Sequence, residues 1–145
     1  MLLRRSISFF SLAIAAAAGL NSAALAAEAP ETPFRAVTFA AASDTAKAEG
    51  KVVFVDVWAA WCGPCRLLEK TTWKDPGVIR LLADRTISIK VNADDDPAFA
   101  EKYKVEALPT LLVLKPDGSE VTRVVGYVDA AKFQATIGSA LGAGH

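Results

Sequence analysis

The most constraining feature of the chain is an apolar run, Val52-Val53-Phe54-Val55-Asp56-Val57-Trp58, that ends just ahead of Trp61-Cys62-Gly63-Pro64-Cys65. A strand that is apolar on both faces has to be covered on both, which places it at the centre of a layered α/β structure. The two cysteines are the only ones in the 145 residues. They fall where a helix can begin, with Pro64 tolerated because it lies in the first turn. A helix start supplies unpaired N–H groups and positive potential, and both favour a thiolate. A Cys-x-x-Cys pair delivered there suits exchange of a disulfide with another protein.

Other uses of the pair fit less well. A structural zinc site needs four ligands, whereas the chain offers two Cys and one His, His145, at its last position. Such a metal would have to be shared between chains. Covalent haem attachment wants His directly after the second Cys, and Arg66 stands there. A purely structural cross-link gains most by closing a long loop, and this one closes a loop of only about four residues. Redox chemistry is the favoured reading, with no metal and no dissociable cofactor: the redox group is the Cys62/Cys65 pair itself.

The N-terminal residues bear on the compartment. Arg4 and Arg5 precede a mostly apolar stretch from Ile7 to Leu20, followed by Ala24-Leu25-Ala26, a small-x-small pattern ahead of Ala27. That is the plan of a secretory signal. The apolar stretch, about 15 residues, is shorter than the ~20 needed to span a bilayer as a helix, which disfavours an uncleaved anchor. The expected organisation is a cleaved signal over residues 1–26, a flexible lead-in over residues 27–33 with two prolines, and one domain over residues 34–145. Loss of both signal arginines from 16 Lys/Arg leaves 14 against 16 Asp/Glu, a formal charge of −2. That balance, without a basic cluster, gives no electrostatic footprint for nucleic acid.

Residues 39–49 are rich in helix formers and stop at Gly50, a C-terminal cap. From Cys62 a helix is expected to run to about Lys74, and Asp75-Pro76 reads as cap and first residue of the next. Thr86 to Ala93 alternates Ile87, Ile89 and Val91 with polar residues, as a strand does. Asp96-Pro97 starts a helix through Tyr103. Thr110 to Lys115 is a further strand, turned by Pro116-Asp117-Gly118-Ser119 into an antiparallel partner over Glu120 to Gly126. Asp129 caps a last helix through Leu141. These elements predict an α/β fold with a central mixed sheet of four or five strands sandwiched by helices.

Three residues outside the cysteine pair carry potential chemistry. Asp56 lies within the most apolar strand, where a carboxylate without a partner is costly and its proton affinity rises. It is a candidate proton acceptor, and no internal histidine competes for that work; the alternative is a local hydrogen-bond acceptor. Lys90, between Ile89 and Val91, either faces water or pairs with Asp56. Pro109 in Leu108-Pro109-Thr110 opens a strand, where the missing N–H is tolerated, and X-Pro is also the bond at which a cis turn is cheap.

Taken together, Val-Asp-Val-Trp-Ala-Ala-Trp-Cys-Gly-Pro-Cys (55–65), the lysine of Ile-Lys-Val-Asn (89–92), Leu-Pro-Thr (108–110) and Val-Gly (125–126) resemble the thioredoxin family in order and separation, over about residues 34–141. The resemblance implies the thioredoxin-like fold, Cys62 as the attacking cysteine and Cys65 as the resolving one. It also implies Asp56 as a buried proton acceptor paired with Lys90, and Pro109 as a cis-proline facing the site. Trp61, Gly63, Pro64, Leu108, Pro109 and Gly126 would form the client-binding surface. Arg66 to Val78 lacks the proline that kinks the active-site helix of that family, and is similar instead to the C-terminal domain of the disulfide interchange protein DsbD.

The expected activity is a periplasmic thiol-disulfide oxidoreductase, reducing rather than oxidising, since Gly63-Pro64 and the Asp56/Lys90 pair look like those of reducing members. In an oxidising compartment such a pair must be kept reduced by a dedicated supply. The partners expected are client proteins with disulfides and a membrane electron donor of the DsbD type, acting on a monomer. A dithiol oxidase and a non-catalytic docking module are the alternatives. The order of the cysteines along the helix predicts that only Cys62 is exposed.

Overall fold

Six apolar residues and one aspartate, Asp56, form the middle strand, β2 (Val52–Trp58), of a five-stranded sheet. The structure, a computed structural model, describes residues 31–142; the signal expected over residues 1–26, most of the lead-in and His145 lie outside the described residues. β2 runs parallel to β3 (Thr86–Asn92) and antiparallel to β4 (Thr110–Leu114). β1 (Phe34–Arg35) extends the sheet beyond β3 and β5 (Glu120–Val125) beyond β4, for the order β1-β3-β2-β4-β5. The mixed sheet between helices is the fold expected. β1 was not anticipated, because two residues carry no periodicity to read.

Strand alternation divides the core in two. Val53, Val55 and Val57 join Ile87, Ile89, Leu112 and Leu114 on the face that also packs residues of α1 (Phe39–Glu49) and α4 (Pro97–Lys102). Phe54, Leu111 and Val113 point the other way. They meet Leu68 of α2 (Gly63–Lys70), Val78 and Leu82 of α3 (Pro76–Arg85) and Phe133 and Ile137 of α5 (Ala130–Gly142). Each fully buried side chain of this kind contributes about 1.5–3 kcal/mol of transfer free energy. The hydroxyls of Thr86 and Ser88 are buried and satisfy each other at 2.7 Å, while Thr86 also donates to the Leu82 carbonyl.

The helix ends follow the residues that punctuate them. Gly50 ends α1 with φ 65°, and its N–H reaches the Ala46 carbonyl. Asp75 caps α3, its Oδ1 accepting from the N–H groups of Gly77 and Val78 at 2.9 and 3.0 Å. Asp96 caps α4 in the same way through the Phe99 N–H, and Asp129 receives the Lys132 N–H. The helix expected to continue from Cys62 to Lys74 stops at Lys70. Thr71 takes φ −124° and ψ −82°, and a 3-10 turn follows over Thr72–Lys74. Two buried anchors account for the break: the Thr72 hydroxyl donates to the Val128 carbonyl at 2.7 Å, and Trp73 turns inward to bond a buried carboxylate. A continuous helix would carry the chain past both.

Asp75 also accepts from Gln134 Nε2 of α5 at 3.3 Å, so it ties two helices as well as capping one. Asp75→Ala is expected to lower stability by about 1–2 kcal/mol in urea denaturation, and Asp75→Ser, another good cap, by clearly less.

Candidate active site

The C-terminal end of β2 hands the chain through Ala59 to the start of α2, and there the two cysteines form a disulfide, with Cα atoms 5.3 Å apart. Cys62 is the N-cap of α2: its backbone is extended and its sulfur accepts from the Cys65 N–H at 3.2 Å. Pro64 fits because the first turn needs no N–H from it. The Cys62 N–H is held by the Ala59 carbonyl, and Arg66 reaches back to the Ala60 carbonyl, so the turn is fixed on both sides. Cys62 and Cys65 are 3% and 4% exposed. The expectation that only Cys62 is exposed is therefore corrected. In the disulfide both sulfurs pack with Ala59 against Trp58 and Leu108, and what separates the cysteines is the capping position of Cys62.

Two loops converge on the pair. The Leu108–Pro109 peptide is cis, which brings Leu108 against the cysteines just before β4 starts at Thr110. The Pro109 carbonyl accepts from the Gly126 N–H at 2.8 Å; Gly126 has φ 87°, a conformation that suits only glycine. Gly63, Pro64 and Trp61 are exposed beside the disulfide, Trp61 at 68%. The indole N–H of Trp61 donates to Asp94 at 3.1 Å. Leu67 and Tyr127 are exposed as well, and the Tyr127 hydroxyl lies 3.3 Å from that of Thr71.

Asp56, 1% exposed, points to the α2 side of the sheet, as its alternation with Val55 and Val57 requires. Of the two readings open for Lys90, facing water or pairing with Asp56, the structure shows the pair. Asp56 Oδ2 accepts from Trp73 Nε1 at 3.1 Å and lies 3.5 Å from Lys90 Nζ, which sits opposite Asp56 in the β2/β3 register. Its Oδ1 is buried with no hydrogen-bond partner. Burial pushes the Asp56 carboxyl above the usual carboxylate range, and Lys90 and the Trp73 N–H oppose that shift without cancelling it. Lys90 does not simply face water. It also pairs with Glu69 of α2 and lies over the rings of Trp58 and Phe34, at 5.0 and 5.4 Å from their centroids.

The structure thus brings Cys62, Cys65 and Leu108 together, joins Pro109 to Gly126, and pairs Asp56 with Lys90. Sequence reasoning missed Trp73 and Glu69. Trp73 was hidden by the expectation of an unbroken helix, whereas Glu69 had a readable signal, standing four residues after Cys65 on one helical face. Among the described residues, no group of three or more His, Cys, Asp or Glu is placed to hold a metal ion, and no helix is long and apolar enough to cross a membrane.

Comparison with known proteins agrees with this geometry. The family model described as Thioredoxin-like domain matches residues 39–141. The chain belongs to the thioredoxin-like family of disulfide oxidoreductases. It is 39% identical over 97 residues to the thiol:disulfide interchange protein DsbD of Pseudomonas fluorescens, which covers 63% of this chain but only 17% of that protein. It is 40% identical over 84 residues to a thioredoxin of Staphylococcus aureus, covering 56% of this chain and 74% of the relative. The crystal structure of the oxidised DsbD C-terminal domain of Neisseria meningitidis superposes with a TM-score of 0.58 at 31% identity, over 68% of this chain and 90% of that one.

The raised Asp56 affinity has a consequence for stability. A folded-state value above the unfolded one means that the native protein holds a proton the unfolded chain has released, so stability falls as pH rises from the ordinary aspartate range through the Asp56 value. Denaturation of the oxidised protein at pH 5 and pH 8 is expected to show that fall, and Asp56→Asn to reduce it. The advantage of the variant over the parent should therefore grow with pH; an equal difference at both values would assign the fall to other groups.

Proposed function

We propose that the protein is an exported, periplasmic reductase of protein disulfides that cycles between a Cys62/Cys65 dithiol and the disulfide. The observation that carries this reading is the disulfide at the N-terminus of α2, with Cys62 as the capping residue and an exposed apolar rim beside it. Once reduced, Cys62 has the unpaired N–H groups and dipole of α2 to favour its thiolate. That thiolate attacks a client disulfide, forming a Cys62–client bond and releasing one client sulfur. Cys65 then gives its proton through water to Asp56 and attacks the Cys62 sulfur. The Cys62–Cys65 bond forms, the Cys62–client bond breaks, and the client has gained two electrons. A dithiol donor, of the DsbD type at the membrane, restores the reduced protein.

The exposed Trp61, Gly63 and Pro64 on one side, and Leu108, Pro109 and Gly126 on the other, would receive an extended client segment. Lys90 tempers the proton affinity of Asp56. The reducing direction draws support from the Gly63-Pro64 dipeptide and the Asp56/Lys90 pair, and export from the arrangement of Arg4, Arg5 and the apolar residues that follow.

Cys65→Ser is expected to accumulate mixed disulfides with clients, visible on non-reducing gels, whereas Cys62→Ser accumulates few; equal trapping by both would defeat the assignment of roles. Equilibration with glutathione tests the direction. A midpoint more reducing than about −200 mV is expected, and a protein that stays largely reduced in a buffer poised like an oxidising compartment is a dithiol oxidase instead.

A further inference from the structure

The two oxygens of Asp56 have different surroundings. Oδ2 carries both contacts, the Trp73 indole N–H at 3.1 Å and the Lys90 ammonium at 3.5 Å. Oδ1 is equally buried and bonds to no described group. A carboxylate with one oxygen engaged by a neutral donor and a cation is most basic at the other, because those donors stabilise negative charge where they point. Trp73 is itself fixed: 2% exposed, it packs edge-on against Phe34, Phe54 and Phe133, with ring centroids 5.3, 5.8 and 5.2 Å away. Its N–H therefore cannot follow a carboxylate that rotates, and the carboxylate is held to it.

We propose that Trp73 is a positioning residue for the exchange reaction: with Lys90 it claims Oδ2 of Asp56, so that Oδ1 is the oxygen that takes the proton from Cys65 and later returns it. The inference rests on the proposed role of Asp56 as proton acceptor. It explains why the helix breaks at Thr71, since the 3-10 turn over Thr72–Lys74 carries the indole to the carboxylate. The proton leaves Cys65 as its thiolate attacks Cys62, rests on Oδ1, and is lost to solvent or passed back when the disulfide is next reduced; no further reactant is needed beyond the client disulfide and the dithiol donor.

Among the described residues, four groups are placed against Asp56. β3 presents Lys90, α2 presents Glu69 through its pair with Lys90, β4 places Leu111 opposite in register, and the 3-10 turn presents Trp73. Removing the indole N–H removes a bond that favours the charged carboxylate, so protonation of Asp56 becomes easier and fewer molecules hold the accepting form at neutral pH.

The test is Trp73→Phe, which keeps an aromatic ring and removes the N–H. In the oxidised protein, where the cysteines do not titrate, the midpoint of the Asp56 carboxyl 13C resonance is expected to move to higher pH. In a stopped-flow assay with a disulfide peptide, release of reduced product at pH 7 should slow about three- to tenfold, with the pH profile displaced upward and its plateau retained. The Trp73→Phe difference should vanish in an Asp56→Asn background. A variant that is less stable but has an unmoved midpoint and profile would mean that Trp73 only fills the core, and the proposal fails. If the midpoint moves while Asp56→Asn releases product as fast as the parent, the bond to Trp73 stands and the proton-acceptor reading beneath the proposal is what fails. Should Trp73→Phe not fold, the parent protein still decides: the Trp73 indole N–H resonance must step at the Asp56 midpoint, and a flat indole signal overturns the proposal.

Discussion

Everything in this molecule depends on β2 being buried on both faces. Such a strand is stable only if helices cover each side of the sheet, and the alternation along Val53 to Val57 assigns those residues to two separate cores. The double cover also positions the cysteines. A central strand with parallel β3 on one side and antiparallel β4 on the other ends at the edge of the sheet where loops from several elements meet. Cys62, Leu108 and the Pro109–Gly126 bond converge there because β2 and β4 lie side by side. Packing thus generates the site before any residue of the site is chosen.

The same burial makes Asp56 expensive, and its surroundings show how the cost is contained. An isolated carboxylate in an apolar layer would be protonated or would destabilise the fold. Here one oxygen has a neutral donor and a cation, and the cation is shared with Glu69, which is half exposed and can be screened by solvent. A buried pair that is only partly compensated keeps a raised proton affinity. That condition, costly for stability, is the one that the proposed role of Asp56 as a proton acceptor calls for.

How far the site was readable varied with how local each signal was. Cys62 and Cys65, the capping residues Asp75 and Asp96, and the strand over residues 52–58 announce themselves through neighbours in the chain. Leu108-Pro109 gained its meaning from the family resemblance, because a single X-Pro pair carries little weight alone. The Asp56 to Lys90 contact was half legible: both residues are anomalous in apolar strands, yet only the register between β2 and β3 sets them opposite each other. Trp73 was not legible. Its role depends on a break at Thr71 that no proline or glycine marks, and that arises from tertiary anchors at Val128 and Asp56. The equal burial of the two cysteines was missed for a related reason, since Leu108 arrives from a distant loop.

The mixed character of the chain follows from these contacts. Gly63-Pro64 and Lys90 look like parts of a thioredoxin, whereas the helix and turn from Arg66 to Val78 look like those of DsbD. In this structure the two parts meet at one ammonium group, because Lys90 touches both Asp56 and Glu69. A half-exposed ion pair adds little to stability; the contact with Glu69 bears instead on where the Lys90 ammonium sits. Lys90 thus answers to two carboxylates at once, the buried Asp56 and the exposed Glu69. The ammonium that opposes the raised proton affinity of Asp56 is thereby also bound to α2, the helix that begins at the cysteines.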